Sequence, residues 1–175
     1  MTLHDAQYLA DGIKAKLAPC CDRILIGGSI RRQKKEVTDV DIICIPRRDQ
    51  VKDLFGTVID TPPVPEFIDI VNSWTKLIGD PTGKYCKRLL PDGHKLEISI
   101  CQADNFGCIQ IIRTGNQEFT HMLMKRALKL GFAQMDGYLW SGDRRLPMFE
   151  EEDYFKCLDL PYIHPKDRDA NAFRP

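Results

Sequence analysis

No excess of either charge sign marks this chain. Lysine plus arginine and aspartate plus glutamate both number 25 in 175 residues, so no global basic field announces a nucleic-acid partner, and any phosphate contact must come from a local patch. No apolar run approaches the roughly 20 residues that span a bilayer, and the N-terminus lacks the cationic start and apolar core of a signal peptide. The expectation is an intracellular, cytoplasmic protein without membrane contact. Seven cysteines are present, but no Cys-x-x-Cys and no cysteine/histidine cluster at zinc spacing, which excludes the common zinc modules and favours core or bystander thiols in a reducing compartment. Repeats and low-complexity tracts are absent too. The length suits one ordinary domain or two small ones sharing an interface.

Thr2-x-x-Asp5 resembles a capping box, and Leu3, Ala6, Leu9, Ile13 and Leu17 recur at helical spacing, so the chain opens with an amphipathic helix stopped near Pro19. Residues 23–27 read as a strand, Gly28-Ser29 as a turn, 30–35 as one or two helical turns, and 40–46 as the next strand. A short helix is expected over 49–55, followed by a Thr61-Pro62-Pro63-Val64-Pro65 segment that cannot be regular. Segments 84–90 and 94–102 flank Pro91-Asp92-Gly93 and read as a β-hairpin. Asp104 is the expected N-cap of an apolar helix ending at Thr114-Gly115. A second helix spans 116–130 and closes at Gly131. Short strands near Asp136-Gly137 and Ser141-Gly142, a helix over 150–158 and a polar tail after Pro161 complete the reading.

Asp39 and Asp41 lie two apart on an expected strand, so both carboxylates project to one face. Two adjacent anions repel unless a cation sits between them, and hard oxygens suit magnesium, with manganese as a substitute. Glu97, on the second arm of the hairpin, is the candidate third ligand for a pair of ions in phosphoryl transfer. Gly27-Gly28-Ser29 lies between a strand and a helical turn, where bare backbone and free amides can approach phosphate; Ser29 adds a hydroxyl and Arg32 a charge. Alone, an Asp-x-Asp is more often a solvated strand end and a Gly-Gly-Ser an ordinary tight turn. Here Ser29 precedes Asp39 by only ten residues, so adjacent strands can bring both motifs into one cleft.

Gly27-Gly28-Ser29-Ile30-Arg31-Arg32 followed by Asp39-Val40-Asp41 resembles the palm signature of the family X DNA polymerases. Thr114-Gly115-Asn116, the helix after it, and Leu160-Pro161-Tyr162 through Pro165-Lys166-Asp167-Arg168 are similar to the thumb helix and C-terminus of the same family. The resemblance implies an α+β fold: a nucleotidyltransferase palm over 1–104, with a mixed sheet flanked by helices, and a small C-terminal α/β thumb over 105–175. It implies a DNA polymerase that adds deoxynucleotides to the 3′ end of primed or gapped DNA by a two-metal mechanism, in DNA repair, as a monomer in the cytoplasm or at a viral or phage genome. Asp39 and Asp41 would hold both ions, and Glu97 would complete the catalytic one and take the primer hydroxyl's proton. Gly28, Ser29 and Arg32, with Ile112, Arg113, Thr114 and Gly115, would bind the nucleotide.

Three departures stand out. The chain begins where the family's palm begins, which leaves no room for a lyase domain or fingers and resembles the short viral DNA polymerase X. Glu97 stands where most relatives have aspartate, and slower chemistry is expected from the extra methylene. Ile112-Arg113 stands where relatives present a tyrosine-phenylalanine pair to the incoming sugar. On the helix over 116–130, Lys125, Arg126 and Lys129 form a cationic side that could bind DNA phosphates or simply be solvated. The alternatives are a nucleotidyltransferase acting on RNA or a small acceptor, and a catalytically weakened DNA-binding scaffold.

Overall fold

Thr2 starts the first helix in the way its spacing to Asp5 predicts: its hydroxyl accepts the Asp5 amide at 3.2 Å and donates to Asp5 Oδ2 at 2.6 Å. The computed structural model describes residues 1–169 and 172. Helix α1 (Leu3–Leu17) buries Ala6, Ala10, Ile13 and Leu17, and burying each of the two large side chains contributes about 1.5–3 kcal/mol. Strand β1 (Cys21–Ile26), one turn of helix α2 (Gly28–Arg31) and strand β2 (Asp39–Pro46) follow. A two-stranded ribbon, β3 (Val51–Lys52) with β4 (Val58–Asp60), leads into helix α3 (Pro65–Asn72) and strand β5 (Thr75–Ile78). The hairpin β6 (Tyr85–Leu89) and β7 (Lys95–Ile100) turns through Pro91-Asp92-Gly93, with Gly93 at φ +84°.

The main sheet has the order β1-β2-β7-β6-β5, with β2 and β7 parallel and the other pairs antiparallel. Side-chain alternation divides its faces. Val40, Ile42 and Cys44 of β2 and Leu96 and Ile98 of β7 join α1, Phe67 and Val71 in one core. Asp39, Asp41 and Ile43 point the other way, where Ile43, Cys101 and Phe106 form a small apolar cluster beneath helix α4 (Phe106–Thr114). Helix α4 therefore covers the middle of this face and leaves the end bearing the aspartates open.

Beyond α4 lie helix α5 (Gln117–Lys129), an antiparallel sheet of β8 (Phe132–Met135), β9 (Tyr138–Ser141) and β10 (Arg144–Leu146), and helix α6 (Glu151–Cys157). Cys108, Ile111, Phe119, Leu123, Leu139, Tyr154 and Phe155 build their shared core. The expected α+β class, with a mixed sheet flanked by helices, is the fold observed.

Several local expectations are corrected. Residues 49–55 form no helix: Asp53 Oδ1 accepts the Phe55 and Thr57 amides at 2.8 and 2.9 Å, which closes a turn and makes the ribbon. Pro65 is not a breaker but the first residue of α3, where its missing N–H costs nothing. The turn of helix after β1 begins at Gly28, ahead of the expected Ile30, and ends at Arg31. Asp104 does not cap α4. A 3-10 turn, Ala103–Asn105, precedes the helix with Gln102 and Asn105 as its capping pair, and Asp104 instead meets Arg145 at 2.8 Å.

Candidate active site

Parallel register sets Asp41 beside Glu97 and Asp39 beside Lys95, so the three carboxylates expected to act together lie on adjoining strands and on one face. From the neighbouring strand the Gly27 amide donates to Asp41 O at 2.8 Å, which draws the glycine turn against the aspartates. Gly28 takes φ +60°, and a Cβ there would stand 1.8 Å from Asp41 Oδ2. Only glycine satisfies both the conformation and the approach. Gly28, Ser29, Arg32, Thr38, Asp39, Asp41, Ile112, Arg113 and Gly115 line one open cavity of about 250 Å³.

The groups in this cavity are not satisfied by the protein alone. Ser29 Oγ and Arg32 Nε are buried without a hydrogen-bond partner, a costly state that a polar ligand would relieve. Burial pushes the Asp41 carboxyl up to about 7, and the charges of Asp39 and Glu97 push it the same way. A divalent cation between the aspartates would remove that repulsion. The donor set, the close glycine and the orphaned hydroxyl fit a phosphate-bearing ligand with a hard cation.

Glu97 is engaged differently. Its Oε1 accepts from Lys87 Nζ at 2.5 Å, and Arg113 Nη1 stands 3.7 Å from its Oε2. Burial alone would raise its carboxyl. Hydrogen bonds from Lys87 and Tyr85, with the charges of Lys87 and Arg113, outweigh that and hold it below the ordinary glutamate value. Arg113 also lies over the Tyr85 ring at 4.7 Å. Among the described residues, no three acidic, histidine or cysteine side chains converge into a ready metal cage.

The glycine turn is tied to the C-terminal unit through Thr114. Arg31 Nη1 donates to Thr114 Oγ1 at 2.9 Å, and Arg32 Nη1 donates to the Thr114 carbonyl at 2.5 Å. Arg31 also forks onto both oxygens of buried Glu151 at 2.7 Å, and Arg168 forks onto the same carboxylate at 2.7 and 3.0 Å.

Residues 110–169 match the family model described as DNA polymerase beta thumb. Across the whole chain the fold is similar to that of Leishmania infantum polymerase beta. Its ternary P/T complex aligns with TM-score 0.71 at 17% identity, over 97% of this chain and 76% of that one. Its ternary gap complex aligns with TM-score 0.72 at 17% identity, over 97% and 70%. The chain thus has a polymerase beta-like fold, with a thumb-like region over residues 110–169. No curated protein matches its sequence.

Eight of the sequence-predicted residues, Gly28, Ser29, Arg32, Asp39, Asp41, Ile112, Arg113 and Gly115, share the cavity. Thr114 is fully buried and turned toward Arg31. Lys125, Arg126 and Lys129 lie on α5, outside the cavity lining. Lys125 and Lys129 are exposed, whereas Arg126 Nε donates to the Leu158 carbonyl at 3.1 Å and closes the end of α6. Sequence reasoning missed Lys87, Tyr85 and Glu151. The first two were within reach, because the Pro91-Asp92-Gly93 turn fixes the hairpin register and pairs Lys87 with Glu97 and Tyr85 with Ser99. Glu151 carried no local signal, since its partners lie far away in sequence.

Proposed function

We propose that this chain is a DNA polymerase that adds deoxynucleotides to the 3′ end of primed or gapped DNA. The observation that carries the reading is Gly28 seated against Asp41 beside the buried, unpartnered Ser29 hydroxyl. The thumb match and the likeness to a polymerase beta solved as P/T and gap complexes support DNA as the partner. The division into a palm over 1–104 and a thumb over 105–175, the monomeric state, a role in repair, and a place in the cytoplasm or at a viral or phage genome belong to the same proposal. No helix among the described residues is long and apolar enough to cross a membrane.

Gly28 backbone, Ser29 and Arg32 bind the triphosphate, supplying an approachable amide, a hydroxyl donor and a cation. Thr114, fixed by Arg31 and Arg32, holds Gly115 at the cavity wall beside the sugar. Asp39 and Asp41 would hold divalent ions, magnesium or manganese, with Glu97 as the further ligand, and such ions would supply charge neutralisation at the phosphates and a more acidic primer hydroxyl. Glu97 would accept the primer hydroxyl's proton as that oxygen bonds to the α-phosphorus and pyrophosphate leaves. Lys125 and Lys129 offer phosphate contacts along α5.

The Lys87 grip on Glu97 favours one other reading, a DNA-binding scaffold with weakened catalysis. Template-dependent extension of a gapped duplex, with each nucleotide and either ion, separates the two. Extension that follows the template base supports the polymerase. Binding without extension supports the scaffold, and transfer only to RNA or a small acceptor refutes both.

A further inference from the structure

We propose that Lys87 is a resident counter-cation for Glu97, which a divalent ion must displace before that carboxylate can join Asp39 and Asp41. The inference rests on the metal site read above. Register places Lys87 opposite Glu97 and Glu97 opposite Asp41, so the three side chains form one row across β6, β7 and β2, on the face that carries the cavity. Lys87 Nζ is 2.5 Å from Glu97 Oε1, and the two side chains are only 20% and 16% exposed, so water screens the pair weakly. Arg113 stands on the other oxygen of the carboxylate.

An ordinary cross-strand ion pair would bring a lysine and a glutamate together for sheet stability alone. Here the glutamate belongs to an acidic row, with Asp41 beside it on β2, and Lys87 neutralises the one member that lies next to it. Glutamate also suits the arrangement better than aspartate, because its extra methylene extends the carboxylate toward the adjoining strand. An ammonium is a compact point charge on a flexible stem, able to leave without disturbing the sheet. Arg88, the next residue, faces the opposite side and is held by the Val71, Ile78 and Gly79 carbonyls. Lys87 is thus a positioning residue: it sets how readily Glu97 becomes a ligand and does not itself touch substrate.

Manganese binding to the full chain without DNA or nucleotide, read from the electron paramagnetic resonance signal of the free ion, tests this. Lys87→Met and Lys87→Gln, checked for unchanged melting, are expected to bind manganese about tenfold tighter than the unaltered chain, because a positive charge beside the site is gone. Lys87→Arg keeps the charge and should keep the weaker affinity, while Asp41→Asn should weaken binding. If both neutral variants stay within about twofold of the unaltered chain while Asp41→Asn weakens binding, Lys87 is only a sheet contact; a twofold change is too small for a lost neighbouring charge. An isotherm that Asp41→Asn leaves unchanged overturns the metal site and, with it, this inference.

Discussion

Replacing Glu151 with glutamine should unfasten the glycine turn from the C-terminal unit at a cost that can be worked from its contacts. The carboxylate is 1% exposed and accepts four guanidinium hydrogen bonds, two from Arg31 and two from Arg168, plus the Tyr162 hydroxyl at 3.0 Å. Arg168 is fully buried and the Arg31 side chain is 20% exposed. The substitution leaves both cations without their counter-charge, which typically costs about 3–5 kcal/mol. At roughly 2–4 °C per kcal/mol for a chain of this size, melting should fall by about 6–20 °C. Urea unfolding at pH 7, with melting followed from pH 7 to pH 3, measures it. Burial alone would raise the Glu151 carboxyl, but its arginine hydrogen bonds hold it below the ordinary glutamate value. Its contribution is therefore complete above the unfolded-state pKa and is lost as pH falls through the folded-state value. The variant should have a flatter acid limb. A loss under about 1 kcal/mol with an unchanged acid limb would show that the cluster is no more than a surface pair in effect.

Other consequences follow from single contacts. Gly28→Ala should abolish nucleotide binding, because its Cβ collides with Asp41 Oδ2 and the left-handed backbone adds about 1–2 kcal/mol of strain; unchanged affinity in a nucleotide titration would sink the cavity assignment. Neutralising Lys125 and Lys129 together should lower the salt dependence of DNA binding by about one to two phosphate contacts, while Arg126→Ala should act on melting through Leu158; an unchanged slope returns that helix face to solvent. Arg113 is drawn to Glu97 and Tyr85, and half-buried Ile112 lines the cavity beside it, where the proposed function puts the sugar. Discrimination against ribonucleotides should therefore be weakened, and a deoxy preference in kcat/KM above roughly 10⁴-fold, or about 5 kcal/mol, contradicts that.

Where local chemistry decides structure, the sequence was legible. Thr2, Pro91-Asp92-Gly93 and Asn116 mark their elements because caps and turns are settled within a few residues. Asp39 and Asp41 were readable as a pair because a strand has only two faces. The ribbon at 51–60 was not, since a single carboxylate, Asp53, overrides a weak helical pattern. Arg88 was equally hidden: it is buried with carbonyls as partners, and the folded end of α3 and the end of β5 supply them. Glu151 and Lys87 show the same limit at the site, because their roles depend on which charges the folded chain brings near.

In the proposed function, the row of carboxylates beside the glycine turn carries out nucleotide transfer. Single-turnover incorporation on a gapped duplex, comparing the unaltered chain with Asp41→Ala in magnesium and in manganese, puts that to the test. Asp41 is the aspartate pressed against Gly28, and its loss should remove incorporation with either ion while melting and DNA affinity remain. Incorporation retained in a folded Asp41→Ala protein would contradict the site.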